Sequence, residues 1–371
     1  MPILQNISLF FVILLIFLLS GCSSVKIQDP VYSAGAVSRA DLLSGQAIFG
    51  TRAKNITLPE DHVIALNDQM RAYLDRYVPR NYAEQTQIRI LMTMMLGSGT
   101  LNMKYDVSKT HNAQEAFRKS EGNCLAFSYL FTAFARERGL NVSFQEVQIP
   151  PVWRSAGGDL YYFSRHVNIR AQMKGRQDVI IDINTVNYKS HYKAWIISDK
   201  SAIALYYSNK GTDYLLESDF ENAFRYLAKA LALSPRDGAI WSNLGVMYRM
   251  QGLYEYAEKA YFVALKYDNA QRSVLNNLIV LYDEIGETEK SEYYLHLVKE
   301  HQMRNPYFRY YQAIEAYQAG DYRGTLSHLK AALKNEKKEQ KFHYLLGETY
   351  AKLGDDTRAG QAWDKAKALR P

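Results

Sequence analysis

A glycine returns at a fixed interval through the second half of the chain. Gly252, Gly286, Gly320 and Gly354 stand 34 residues apart. A period of that size marks a supersecondary unit too short to bury its apolar face alone, so the units must stack. Aligned on these glycines, repeats start at Ala204, Gly238, Arg272, Pro306 and Gln340 without insertion. Small or compact residues fill two further columns: Ala223, Ala257, Ser291, Thr325 and Ala359, then Ala230, Ala264, Val298, Ala332 and Ala366. Large residues fill another, at Leu227, Tyr261, Leu295, Leu329 and Trp363. Tyrosine holds the eleventh position in four repeats, at Tyr214, Tyr248, Tyr282 and Tyr350, with Ala316 in the fifth.

Small residues where paired helices touch, rings where they interlock and glycine in the turn resemble the tetratricopeptide repeat. Trp241-Ser-Asn-Leu244-Gly245-Val-Met-Tyr248 fits that family's first-helix pattern, and Pro235 and Pro371 fit its closing proline. The resemblance implies an all-α superhelix of five repeats over residues 204–371, with a concave face suited to a protein or peptide partner. Nineteen of the 29 tyrosines lie from residue 204 onward, so the tyrosine excess reads as repeat packing rather than ligand contact. Lys334–Lys341 reads as a solvated connection between repeats. With no further helix after Pro371, the last repeat's outer face is expected to be solvated by its own residues or covered.

The chain starts differently. Leu9–Leu19 is a run of eleven apolar residues without a charge, too short for the roughly 20 that span a bilayer and suited to the apolar region of a signal peptide. Leu19-Ser20-Gly21-Cys22 follows and resembles the bacterial lipobox. That resemblance implies cleavage of residues 1–21, lipidation of Cys22, and, with Ser23 next, sorting to the outer membrane facing the periplasm. Residues 1–21 contain no Lys or Arg, a departure from the usual signal. Residues 22–45, rich in Ser, Ala and Gly, read as a tether. The net charge of +7 is then assigned to anionic envelope surfaces, with no nucleic-acid partner. Only Cys22 and Cys124 occur, which excludes a disulfide scaffold or a four-cysteine zinc site.

Residues 46–203 carry the chemistry. Helical spacing covers 60–78 and 83–97. Cys124 opens an apolar helix-like run to Ala135, closed by Gly139 as a left-handed cap. Three strand-like stretches follow, Val142–Ile149, Leu160–Ala171 and Asp178–Ile183, making an α+β domain. A cysteine at a helix amino terminus sits where the dipole and free N–H groups favour thiolate. Its base must come from the histidines. His166 and His191 are the two that follow Cys124 within the domain, and His191 lies in a polar stretch without strand periodicity. His166 shares the polar side of its strand with Asn168 and Arg170, and Asp182 projects from the next strand opposite the most apolar series.

Gly122-Asn123-Cys124 opening a helix, then His166 at a strand pair, then Asp182, resembles the transglutaminase-like superfamily, with its papain-type cysteine-protease core. Together with the lipobox and the repeats, the chain is similar to bacterial lipoproteins that join such a domain to tetratricopeptide repeats. The resemblance implies a nucleophile Cys124, a general base His166, an orienting Asp182 and an oxyanion donor in the Cys124 N–H; it leaves the second donor unassigned. Trp153 either walls an acyl site or is a structural loop aromatic. No HExxH, CxxC, phosphate loop or dinucleotide fingerprint occurs, so no metal and no cofactor is expected. Two functions stay open. One is thiol acyl transfer on peptide or glutamine amides, as protease, amidase or transamidase. The other is a non-catalytic assembly lipoprotein whose transglutaminase-like domain is vestigial or only binds.

Overall fold

The computed structural model describes residues 37–149, 165–183, 192–267 and 271–369. The signal segment with Cys22, Trp153 and His191 lie outside the described residues. Ser38-Arg39-Ala40-Asp41 is a capping box: the Ser38 hydroxyl accepts from the Asp41 N–H, and the Asp41 carboxylate accepts from the Ser38 N–H. It opens helix α1 (Arg39–Ser44), whose Leu42 is fully buried. The Leu42 carbonyl accepts from the Tyr248 hydroxyl at 2.7 Å, and the Arg39 guanidinium lies over the Trp241 ring. This corrects the tether expected over residues 22–45, because its last part is folded onto the repeats.

A short helix, α2 (Gln46–Phe49), and a tight 3-10 turn (Gly50–Asn55) follow. Next come α3 (Asp68–Tyr77) and α4 (Glu84–Leu96). Residues 60–67, expected to be helical, are not, and Asn67 caps α3 through the Met70 N–H. Strand β1 (Lys104–Tyr105) pairs in parallel with β2 (Glu121–Gly122), and between them lies α5 (Ala113–Lys119). Helix α6 (Cys124–Glu137) then runs buried from Cys124 to Ala135. It is the centre of the domain, and Gly139 beyond it takes φ 77°. A four-stranded antiparallel sheet packs on it: β3 (Val142–Val147), β4 (His166–Ala171), β5 (Val179–Ile181) and β6 (Ala194–Ile196), in the order β5-β4-β3-β6. The β6 strand had no counterpart in the sequence reading. Register pairs Val147 with His166, and Ile169 with both Phe144 and Ile181.

The repeats form five helix pairs: α7 (Asp199–Leu216) with α8 (Phe220–Leu233), α9 (Gly238–Met250) with α10 (Tyr254–Leu265), α11 (Gln271–Glu284) with α12 (Thr288–Arg304), α13 (Pro306–Gln318) with α14 (Tyr322–Asn335), and α15 (Gln340–Lys352) with α16 (Asp356–Ala368). Both small-residue columns are buried throughout. The large column behaves as three of its members require: a Cβ on Gly211, Gly245 or Gly347 would come within 2.8 Å of Leu227, 2.5 Å of Tyr261 or 2.4 Å of Trp363. In the third repeat Ile279 stands in that glycine column, and Leu295 is 39% exposed. Tyr214, Tyr248 and Tyr282 pack on Tyr226, Tyr256 and Tyr294 of the paired helix, at 5.0, 5.2 and 5.5 Å between centroids. The 34-residue glycines all take φ between 69° and 78°, whereas Ser218, in the same column of the first repeat, does so at φ 59°. The Lys-rich connection differs from expectation at one residue: Glu339 is fully buried and accepts from the Tyr307 hydroxyl at 3.2 Å.

The first repeat helix begins at Asp199, ahead of the repeat register at Ala204, and it lies along α6. The Tyr129 hydroxyl donates to the Ala202 carbonyl at 2.7 Å, and Arg136 makes a bidentate pair with Asp199. Apolar packing is continuous from Val37 through the domain to Val298. The domain and the first three repeats share one core, and Tyr307, Ala332 and Phe342 form a separate cluster in the last two.

Candidate functional site

Asn123 places the thiol. Its side chain caps α6 by accepting from the Ala126 N–H at 3.1 Å, which makes Cys124 the first helical residue. At that position the helix provides no partner for the backbone N–H. Gly122 allows the approach, since a Cβ there would meet the Ala126 Cβ at 2.5 Å and the Met103 side chain at 3.1 Å. One turn on, the Ser128 hydroxyl reaches the Val167 carbonyl at 3.4 Å, tying α6 to β4 beside His166.

The structure brings Cys124, His166 and Asp182 together. Nε2 of His166 is 2.6 Å from the Asp182 carboxylate, which leaves Nδ1 free to face the Cys124 thiol, whose interaction with the imidazole contributes to the His166 shift. Burial by itself would lower the His166 pKa. The hydrogen bonds to Asp182 and Cys124, with their charges, outweigh it and push the value up to about 9. The imidazole is therefore protonated at neutral pH. Cys124, His166 and Asp182 are 7%, 3% and 6% exposed, so the three groups sit out of bulk water.

A fourth residue belongs to this cluster. Asn168, two residues beyond His166 on the same strand face, donates to the same Asp182 oxygen at 3.2 Å. Its own carbonyl oxygen is buried without a hydrogen-bond partner. The strand alternation puts Asn168 beside His166, but not its aim at Asp182. His111 lies apart from the three, 3.8 Å from Glu115 and 3.5 Å from Glu121, and its pKa is lowered by burial first and by Lys119 second. Among the described residues no group of three His, Cys, Asp or Glu side chains could hold a metal ion.

The tetratricopeptide repeat family matches residues 209–272 and 310–371. With the five helix pairs, this makes the C-terminal part an array of tetratricopeptide repeats. Similar solved structures include MamA from Desulfovibrio magneticus RS-1, at 19% identity over 46% of this chain and 96% of that one, with a TM-score of 0.25. YrrB, described as a TPR protein with an unusual peptide-binding site, is 20% identical over 45% of this chain and 87% of its own, with a TM-score of 0.25. PilF of Pseudomonas aeruginosa is 18% identical over 47% of this chain and 79% of its own, with a TM-score of 0.27. No curated protein sequence matches the chain.

Proposed function

We propose that the chain is an envelope lipoprotein, anchored through Cys22, that performs thiol acyl transfer on peptide or glutamine amides at a transglutaminase-like site, with the repeats recruiting a protein partner. The observation that carries this reading is the relay Cys124 thiol–His166–Asp182, with the thiol at a helix amino terminus. In the proposed reaction Cys124 attacks the amide carbonyl carbon as thiolate, its proton being the one carried on Nδ1 of His166, and the oxyanion forms against the Cys124 N–H. The C–N bond breaks as protonated His166 gives its Nδ1 proton to the departing amine, leaving a thioester. Water or a second amine then attacks the thioester and loses a proton to His166, and the thiolate departs. Asp182 holds the ring so that Nδ1 faces sulfur throughout, and Asn168 holds Asp182.

The test is alkylation of Cys124 in the mature protein, read by peptide mass spectrometry across pH, with His166→Ala as the comparison. In this reading His166 carries the proton of Cys124, so the wild type should label roughly tenfold faster or more than His166→Ala at pH 6.5. Equal, slow labelling of both proteins would refute the enzyme reading. The burial of all three groups favours a second reading, an assembly lipoprotein whose site only binds; that reading expects the equal, slow result.

A further inference from the structure

Arg165 directly precedes His166 and is held by carboxylates from two different parts of the molecule. Its Nε and Nη2 each lie 2.8 Å from an oxygen of Glu146 on β3, and its Nη1 lies 2.5 Å from Asp237. The Glu146 and Asp237 side chains are 8% and 6% exposed. Asp237 is the N-cap of α9, the first helix of the second repeat, and its other oxygen accepts from the Ala239 N–H at 3.0 Å. One guanidinium facing two nearly buried carboxylates is costly to desolvate and keeps its geometry only when all three groups are in place. The residue so held is the one at which the chain enters β4.

The other half of the site is held in the same way. The Thr110 hydroxyl accepts from the Asn123 side chain at 2.7 Å and from the Asn209 side chain of the first repeat at 3.0 Å. Asn123 is the cap that places Cys124. The first repeat thus reaches the cap of the nucleophile's helix, and the second reaches the strand of the base.

We infer that the first two repeats are a structural half of the active site, with Asp237 a positioning residue for His166 through Arg165 and Asn209 a positioning residue for Cys124 through Thr110. The inference rests on the thiol acyl-transfer reading and deepens it: the repeats set the Cys124–His166 alignment as well as recruiting a partner.

The test uses the full chain and the pH profile of Cys124 alkylation by iodoacetamide, with melting temperature as the control for folding. Asp237→Asn is the informative variant, because asparagine caps helices about as well as aspartate while its amide cannot pair with Arg165. Its labelling at pH 6.5 should fall roughly tenfold, the scale of one charged hydrogen bond, and its profile should approach that of His166→Ala while the melting temperature holds. Arg165→Lys should restore part of what Arg165→Met loses. If Asp237→Asn fails to fold, Asn209→Ala carries the test, with slowed labelling expected. A wild-type profile in the folded Asp237→Asn variant, or in Asn209→Ala where that variant carries the test, overturns the inference and leaves the acyl-transfer reading standing. A wild type that labels like His166→Ala overturns both.

Discussion

His166 should make the folded chain's stability depend on pH in one direction. Its pKa rises from 6.5 to about 9 on folding, so the native state binds the proton more tightly than the unfolded chain does. The resulting stabilisation is complete below pH 6.5 and is lost as pH rises through 9. At about 1.4 kcal/mol for each unit of difference, it amounts to about 3 kcal/mol at pH 6 and about 1 kcal/mol at pH 8. His111 works the other way. Its value is lowered, by burial first, so its effect falls below pH 6.5, where stability rises with pH. Comparing the wild type with His166→Gln at each pH cancels that and every other unrelated titration.

The assay is urea unfolding of wild type, His166→Gln and Asp182→Asn at pH 6, 7 and 8, followed by circular dichroism. The gap between wild type and His166→Gln should close by about 2 kcal/mol from pH 6 to pH 8. Asp182→Asn should lose most of the same pH dependence, because burial then acts on the imidazolium without its main counter-charge. Curves for wild type and His166→Gln that run parallel from pH 6 to pH 8 would show that Asp182 and Cys124 do not hold a proton on His166.

Two backbone positions give further expectations. Gly122→Ala puts a methyl 2.5 Å from the Ala126 Cβ, so β2 or the start of α6 must shift; overpacking of this kind costs about 1–3 kcal/mol. The melting temperature should drop and Cys124 labelling at pH 6.5 should slow with it. Ser218 holds φ 59° in the column that glycine occupies in the other four repeats. Ser218→Gly should stabilise the first repeat by about 1 kcal/mol, the cost of the left-handed conformation for a residue with a Cβ, read as a raised urea midpoint.

What was legible in the sequence was local or periodic. The repeat columns declare themselves because each 34-residue unit meets the same neighbours, so one packing solution recurs in the residue types. The site was legible for a related reason. Gly122-Asn123-Cys124 is a local helix start, and the alternation around His166 and Asp182 is a local strand pattern. What joins the two halves has neither property. Asp237 reads as an ordinary helix cap and Arg165 as a charge flanking a strand; their pairing spans 72 residues. Asn209 and Thr110 are 99 apart. The Ser38–Asp41 box could have announced α1, yet a six-residue helix is stable only where tertiary contacts hold it, and one of these, the Tyr248 hydroxyl on the Leu42 carbonyl, comes from 206 residues away. Glu339 shows the converse: a charge-rich stretch looks solvated until Tyr307 is seen to cover one of its carboxylates. Each of these polar residues already satisfies a local role, so nothing in its neighbourhood signals a second one. Asp237 is the clearest case, since one oxygen caps α9 while the other pairs with Arg165. A substitution that preserves the cap is expected to leave the repeat intact and to disturb only the strand that begins with His166.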